Sequence, residues 1–196
     1  RVNLLDSSLV RMMKKAGCNF IKVGIESGSP RILRKMNKGI TREQCLAASR
    51  MLRKTGIHWS GYFMMGVPGE TEEDILATLR FMYELRPDLA LLSVYEPFPG
   101  TAMFAEGIER GLVYDEMSLA QYYRLSPYHY FKIDPQIQTD CIPRERYLEL
   151  EKTLMDAFHE YNKGIGKVFK MVRARKNLYL HQPRSLVDDI RKYLSY

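Results

Sequence analysis

Ile21-Lys22-Val23-Gly24-Ile25-Glu26-Ser27-Gly28-Ser29-Pro30 is the stretch on which the reading of this chain turns. Phe20 to Ile25 is an apolar run rich in β-branched residues, the composition of a buried strand. It runs directly into an acid, Glu26, and then into two small residues. Ser29 has the side chain to cap a following helix. Pro30 suits the first helical position, where a missing N–H leaves nothing unpaired. The stretch therefore predicts strand, tight turn and helix. A carboxylate at the end of a buried strand is expensive to desolvate unless it holds something. In folds that alternate strands with helices, ligands gather at the C-terminal ends of the strands. Glu26 is thus a candidate ligand-facing group. The residues alone give equal weight to a second role, capping the backbone amides of Ser27 to Ser29.

Working outward, Arg1 to Leu5 reads as the frayed end of a strand whose beginning is missing, and Asp6 as the cap of a helix stopped by Gly17. Downstream, Pro30 to Met36 predicts a short helix. Thr41 with Gln44 three residues on is a capping box for a helix to Thr55, ended by Gly56. Ile57 to Met65 predicts a second strand, followed by Gly66-Val67-Pro68-Gly69-Glu70. Thr71 caps a helix to about Glu84, with Glu72, Glu73 and Asp74 where acids complement the helix dipole. Leu89 to Tyr95 is a third strand. It enters Glu96-Pro97-Phe98-Pro99-Gly100-Thr101, whose prolines cannot continue a ladder, and then a helix from Ala102 to Arg110. Strands alternating with helices imply parallel pairing through right-handed crossovers. Three strands are too few to close a barrel, so the sheet is either small and open or part of a larger barrel.

Beyond Leu112 the pattern changes. Tyr114 to Thr139 is an aromatic-rich segment without a period. Pro143 to Asn162 predicts a long helix, Gly164 and Gly166 an interruption, Val168 to Lys176 a basic helix, and Pro183 the entry to a last one. The fold class is α/β: a parallel sheet with helices over residues 1–112, either small and open or part of a barrel, with a mainly helical C-terminal extension over 113–196.

The 196 residues, 45% of them hydrophobic, suffice for one sizeable core. No apolar run approaches the roughly 18 residues of a membrane span. The net charge of +7 sits entirely in residues 163–196, which hold nine Lys or Arg against Asp188 and Asp189. Lys163, Lys167, Lys170, Arg173, Arg175 and Lys176 could meet phosphates in a nucleic-acid-binding module. A solvated helix face is the favoured reading of such a run. Cys18, Cys45 and Cys141 match no tight metal-ligand spacing and read as free thiols in a reducing cytoplasm. The start at Arg1 suggests a piece of a longer protein.

Five segments now occur in one order: Ala16-Gly17-Cys18; Val23-Gly24-Ile25-Glu26-Ser27-Gly28-Ser29; Met36-Asn37-Lys38-Gly39; Gly61-Tyr62-Phe63-Met64-Met65-Gly66-Val67-Pro68-Gly69-Glu70-Thr71; and Pro97-Phe98-Pro99-Gly100-Thr101. Over residues 1–112 this resembles the C-terminal half of a radical S-adenosylmethionine (SAM) core, most of all the Fe–S oxidoreductases that carry an upstream cobalamin-binding domain. The resemblance implies a partial βα barrel of which this chain supplies the last strands. It implies SAM and a [4Fe–4S] cluster as cofactors of the full-length protein, with cobalamin in the upstream domain. The family's three-cysteine cluster loop is absent here. The expected partner is therefore the missing N-terminal half, the substrate is unknown, and neither cluster nor SAM is expected on this piece alone.

The resemblance also assigns roles. An acceptor-only carboxylate suits the ribose hydroxyls of SAM, and Glu26 matches the family position that contacts SAM. Ser27 adds a hydroxyl beside it. Lys38 matches a basic position that reaches the SAM carboxylate in some relatives; a solvated loop lysine is the competing reading. Tyr62, Phe63, Met64 and Met65 match the segment whose backbone edge meets adenine, with Met64 where many relatives carry Ile, and Gly66 and Gly69 allow the tight turns and close approach that follow. Pro97 matches the loop near adenine and substrate. As side chains, Tyr62, Phe63 and Met65 read as core. A non-catalytic scaffold with a lapsed SAM site is the remaining alternative.

Overall fold

The computed structural model describes residues 1–96, 98–112, 120 and 141–195. Strands β1 (Phe20–Glu26), β2 (His58–Met65) and β3 (Leu89–Val94) form a parallel sheet in the order β1-β2-β3. Helices α2 (Pro30–Lys35) and α3 (Arg42–Thr55) connect the first pair, and α4 (Glu72–Leu85) the second. Helix α1 (Ser7–Lys15) precedes the sheet and α5 (Ala102–Glu109) follows it. The expected capping box at Thr41 forms, and Thr71, expected as a cap, forms a second one: each threonine side chain receives an N3 backbone N–H, and Gln44 and Asp74 each reach back to the cap.

The register puts Lys22 beside Ser60 and Ser60 beside Leu89, so the three strands end together along one edge. Side chains alternate across this sheet. Val23, Ile25, Trp59, Phe63 and Ala90 point to the helices, where Leu52, Phe81 and Phe158 complete the largest apolar cluster. The opposite face carries Lys22, Gly24, Tyr62, Leu91 and Ser93, all of them partly or fully exposed. The Lys22 ammonium stands 5.9 Å from the Tyr62 ring centre there. Ser60, which the register sets beside Lys22, is fully buried on the same face, so that face is open only in part.

The helical extension packs on this layer. Helix α6 (Arg144–Asn162) lies along β3 and α4, and its Leu150 and Leu154 form an apolar cluster with Met65 and Ile75. The Asn162 side chain accepts the Ala90 N–H (2.9 Å) and donates to the Ala90 carbonyl (2.6 Å). A side-chain amide thus takes the place of a neighbouring strand at the β3 edge, which would otherwise expose unpaired backbone groups. Helices α7 (Ile165–Ala174), α8 (Lys176–His181) and α9 (Pro183–Ser195) follow. Their basic run folds back on the chain. Lys167 lies 3.1 Å from the Tyr161 ring centre and donates to the Tyr161 carbonyl, and burial pulls its pKa down to about 8. Lys163 pairs with Glu160 and Arg175 with Asp189, while Lys170 stands 3.8 Å from Asp88.

Two local expectations change. Arg1 to Leu5 is not a strand end but a 3₁₀ turn over Val2–Leu4, because the Leu4 and Leu5 N–H groups bond locally to the carbonyls of Arg1 and Val2. Gly166 does not interrupt a helix; it lies inside α7. Gly164 alone breaks the chain there, at φ 151, a conformation open to glycine and little else. The aromatic segment 114–139 falls almost wholly outside the described residues, as does Pro97. Among the described residues no helix is long and apolar enough to cross a membrane.

Candidate functional site

Glu26 does not finish β1 in an extended conformation. Its φ is 68°, a left-handed value unusual for a residue with a Cβ, and the β1–β2 register slips between Gly24 and Glu26. The irregularity lays the carboxylate back over Gly24. A Cβ on Gly24 would stand 2.5 Å from Glu26 Oε1 and 3.1 Å from Lys38 Nζ, so only glycine leaves room for both groups. Lys38 Nζ donates to Glu26 Oε1 as an ion pair, with the two side chains 28% and 15% exposed. Glu26 Oε2 has no protein partner among the described residues.

Lys38 is aimed by its loop. Asn37 (φ 48) and Gly39 (φ 63) flank it in left-handed conformations. The Lys38 N–H donates to the Leu33 carbonyl (3.1 Å), and the Arg1 guanidinium donates to the Lys38 carbonyl (2.5 Å). The backbone on both sides is therefore held.

Ser27 faces elsewhere. It is fully buried, its hydroxyl shares a hydrogen bond with that of Thr78 (3.1 Å), and it accepts the Ser29 N–H (3.1 Å). The Gly28 N–H donates to Thr78 Oγ1 (3.0 Å), and a Cβ on Gly28 would run into the Ala77 backbone and stand 2.7 Å from Phe81 Cβ. Ser27 and Gly28 thus seam the turn to α4. Ser29 caps α2 as expected and donates to Asp74 Oδ1 (2.5 Å). Burial would push the Asp74 carboxyl up, but hydrogen bonds from Ser29, Arg31 and Thr71 outweigh it and hold the pKa at about 2.

At the end of β2, Tyr62 and Met64 lie on the more open face. Phe63 points the other way, buried edge-on against Phe158 at 5.3 Å. The loop that follows is held from inside by Glu70, to which the sequence pattern assigns no role. Its Oε2 accepts the N–H groups of Gly66 (2.6 Å) and Val67 (3.2 Å), and its Oε1 is buried without a partner among the described residues. Burial pushes the Glu70 pKa up to about 8, against the pull of the two backbone donors. Gly66 sits at φ 83, and a Cβ there would stand 2.5 Å from the Tyr147 hydroxyl of α6. At the end of β3, Tyr95 packs with Ile32 and Val67, and Glu96, half-buried, has its carboxyl pKa raised by burial.

Glu26, Lys38, Gly66 and Glu96 are thus brought to one edge, while Ser27 and Phe63 serve packing. The edge offers a carboxylate paired with an ammonium at the end of β1 and a glycine-turned loop after the neighbouring strand. Among the described residues no group of three His, Cys, Asp or Glu could hold a metal. Cys45 is buried, and burial pushes its thiol up to about 11, away from the thiolate that a metal needs.

The radical SAM superfamily model matches residues 3–82. An uncharacterised methyltransferase of Pyrococcus horikoshii is 34% identical over 148 residues, covering 76% of this chain and 32% of that protein. The chain spans less than a third of the length of the first curated relatives it matches. Among solved structures, the radical SAM enzyme coproporphyrinogen III oxidase of Escherichia coli aligns with a TM-score of 0.56 at 17% identity, over 82% of this chain and 31% of that one. A radical SAM methyltransferase of Kitasatospora setae, solved with cobalamin and a [4Fe–4S] cluster, aligns with a TM-score of 0.55 at 22% identity, over 80% and 34%. At these identities the two structures speak for the fold.

Proposed function

This chain belongs to the radical SAM superfamily, a family of enzymes, and from that premise we propose that it forms the strand-end side of a SAM site in a longer protein. The observation that carries the reading is the Glu26 carboxylate, laid over Gly24 with Oε2 unspent, at the edge where Gly66 begins its loop. The carboxylate accepts the ribose hydroxyls. The backbone at the end of β2, from Tyr62 to Met65, would meet the adenine, and Glu70 holds the Gly66–Glu70 loop that follows it. The cluster and SAM together supply the radical chemistry, and the cluster's ligands lie in the part of the protein that precedes this chain. In that arrangement this chain alone is inactive. An upstream cobalamin domain fits the same class, with no residue of this chain assigned to it.

The reaction subtype and substrate belong to the intact protein. Nucleic-acid binding through the tail is the weaker alternative, because Lys163, Lys167 and Arg175 already have partners within the chain. The test is Glu26→Ala in the intact protein. Loss of one charge-assisted hydrogen-bonding group costs about 1.5–3 kcal/mol, hence about a tenfold to hundredfold loss of SAM affinity by calorimetry. A fall in melting temperature with unchanged affinity would instead make Glu26 a structural cap.

A further inference from the structure

Glu26 and Lys38 both lie at the SAM side of this edge, yet they touch each other. We propose that Lys38 is a positioning residue: its ammonium holds Glu26 over the Gly24 notch, and its effect on ligand binding passes through that carboxylate to the ribose diol. The proposal rests on the SAM-site reading above and adds a role for Lys38 within it.

Three observations carry it. The first is that the Glu26 backbone, at φ 68 and past a register slip, does not by itself fix the carboxylate; a side chain with three rotatable bonds leaves a bulge in many directions. The ion pair selects one of them. The second is that the notch is shaped for the pair and not for Glu26 alone. The missing Cβ of Gly24 makes room for Oε1 and for Nζ together. The third is that Lys38 is braced on both sides, by left-handed Asn37 and Gly39, by its own N–H on Leu33, and by Arg1 on its carbonyl. A solvated loop lysine needs no such bracing. Lys38 engages Oε1 and leaves Oε2, so the carboxylate is oriented without being used up.

The direct alternative is that Lys38 grips the carboxylate of SAM. The two roles separate with a ligand that keeps adenine and ribose but has no amino-acid part, 5′-methylthioadenosine. In the intact protein, calorimetry with SAM and with methylthioadenosine is compared for the wild type, Lys38→Met, Lys38→Arg, Glu26→Gln and the Glu26→Gln/Lys38→Met double variant. Lys38→Met is expected to weaken both ligands by the same factor, about tenfold, and Lys38→Arg to restore most of it. In the Glu26→Gln background, Lys38→Met is expected to add nothing, since the carboxylate it orients is gone. A loss confined to SAM, a loss that persists in the Glu26→Gln background, or no loss at all overturns the positioning role. The double variant is titrated with SAM itself, so the comparison holds even where the nucleoside binds weakly. Wild-type protein that binds neither ligand fails in a distinguishable way, by removing the SAM site on which the proposal rests.

Discussion

Gly24→Ala should damage the site and spare the fold. Gly24 lies in β1 outside the left-handed region, so an alanine there is free of backbone strain and even narrows the unfolded ensemble. The cost falls elsewhere. The new Cβ would sit 2.5 Å from Glu26 Oε1 and 3.1 Å from Lys38 Nζ, both the far ends of flexible side chains. To reach ordinary van der Waals contact the carboxylate must move about 1 Å. Folding tolerates this, because the pair can swing toward solvent. Binding does not, because a hydrogen bond stretched by that much falls outside its useful range. The expected loss is that of the Glu26 contact itself, about 1.5–3 kcal/mol, or about tenfold to hundredfold in SAM affinity. Gly28→Ala is the contrasting control. Its Cβ would meet the Ala77 backbone and Phe81 Cβ, which cannot swing away, so overpacking should cost about 1–3 kcal/mol or more and lower the melting temperature by roughly 2–4 °C per kcal/mol. Calorimetric titration and thermal melts on the intact protein read both. A Gly24→Ala protein with wild-type SAM affinity, or one that melts as early as Gly28→Ala, would refute the argument.

The Glu70 carboxyl, with its pKa raised from 4.5 to about 8 in the folded state, binds more protons folded than unfolded between those values. Its contribution to stability is therefore full below about pH 4.5 and fades as pH rises through 8. Glu70→Gln should remove that decline, and urea midpoints of the two proteins that keep a constant gap from pH 5 to 8 would count against it. Asn162→Ala should leave the Ala90 N–H and carbonyl without partners at a buried edge, a loss of about 2–4 kcal/mol visible in denaturant melts, whereas a change under 1 kcal/mol would mean that water replaces the amide.

Much of the fold is legible locally. Thr41 with Gln44, and Thr71 with its acidic first turn, mark helix starts, and the β-branched run at Phe20 to Ile25 marks its strand. The placement of Glu26 at a strand end follows from the same pattern. What it does there is less legible, since Lys38 reaches it only through two left-handed residues whose conformations no periodicity records. Ser27 illustrates the limit of alternation. A hydroxyl next to Glu26 reads as a second ligand contact, but the register slip at Glu26 breaks the two-residue period and turns Ser27 to Thr78. Glu70 carries no signal in the sequence pattern. Its burial depends on the turn at Gly66 and on Tyr147 arriving from a helix far along the chain. The basic tail misleads in the same manner: Lys167 reads as a surface charge until Tyr161 supplies the ring it lies on.

The Asn162 clasp also makes the two edges of this sheet unequal. On the β1 side no strand stands alongside among the described residues, while on the β3 side the amide takes up Ala90, one residue of the six in the strand. A strand arriving at β1, from another part of the same protein or from a second copy, meets free ladder groups along its length. A strand arriving at β3 has first to displace the amide from Ala90, so the direction in which the sheet extends is biased toward β1.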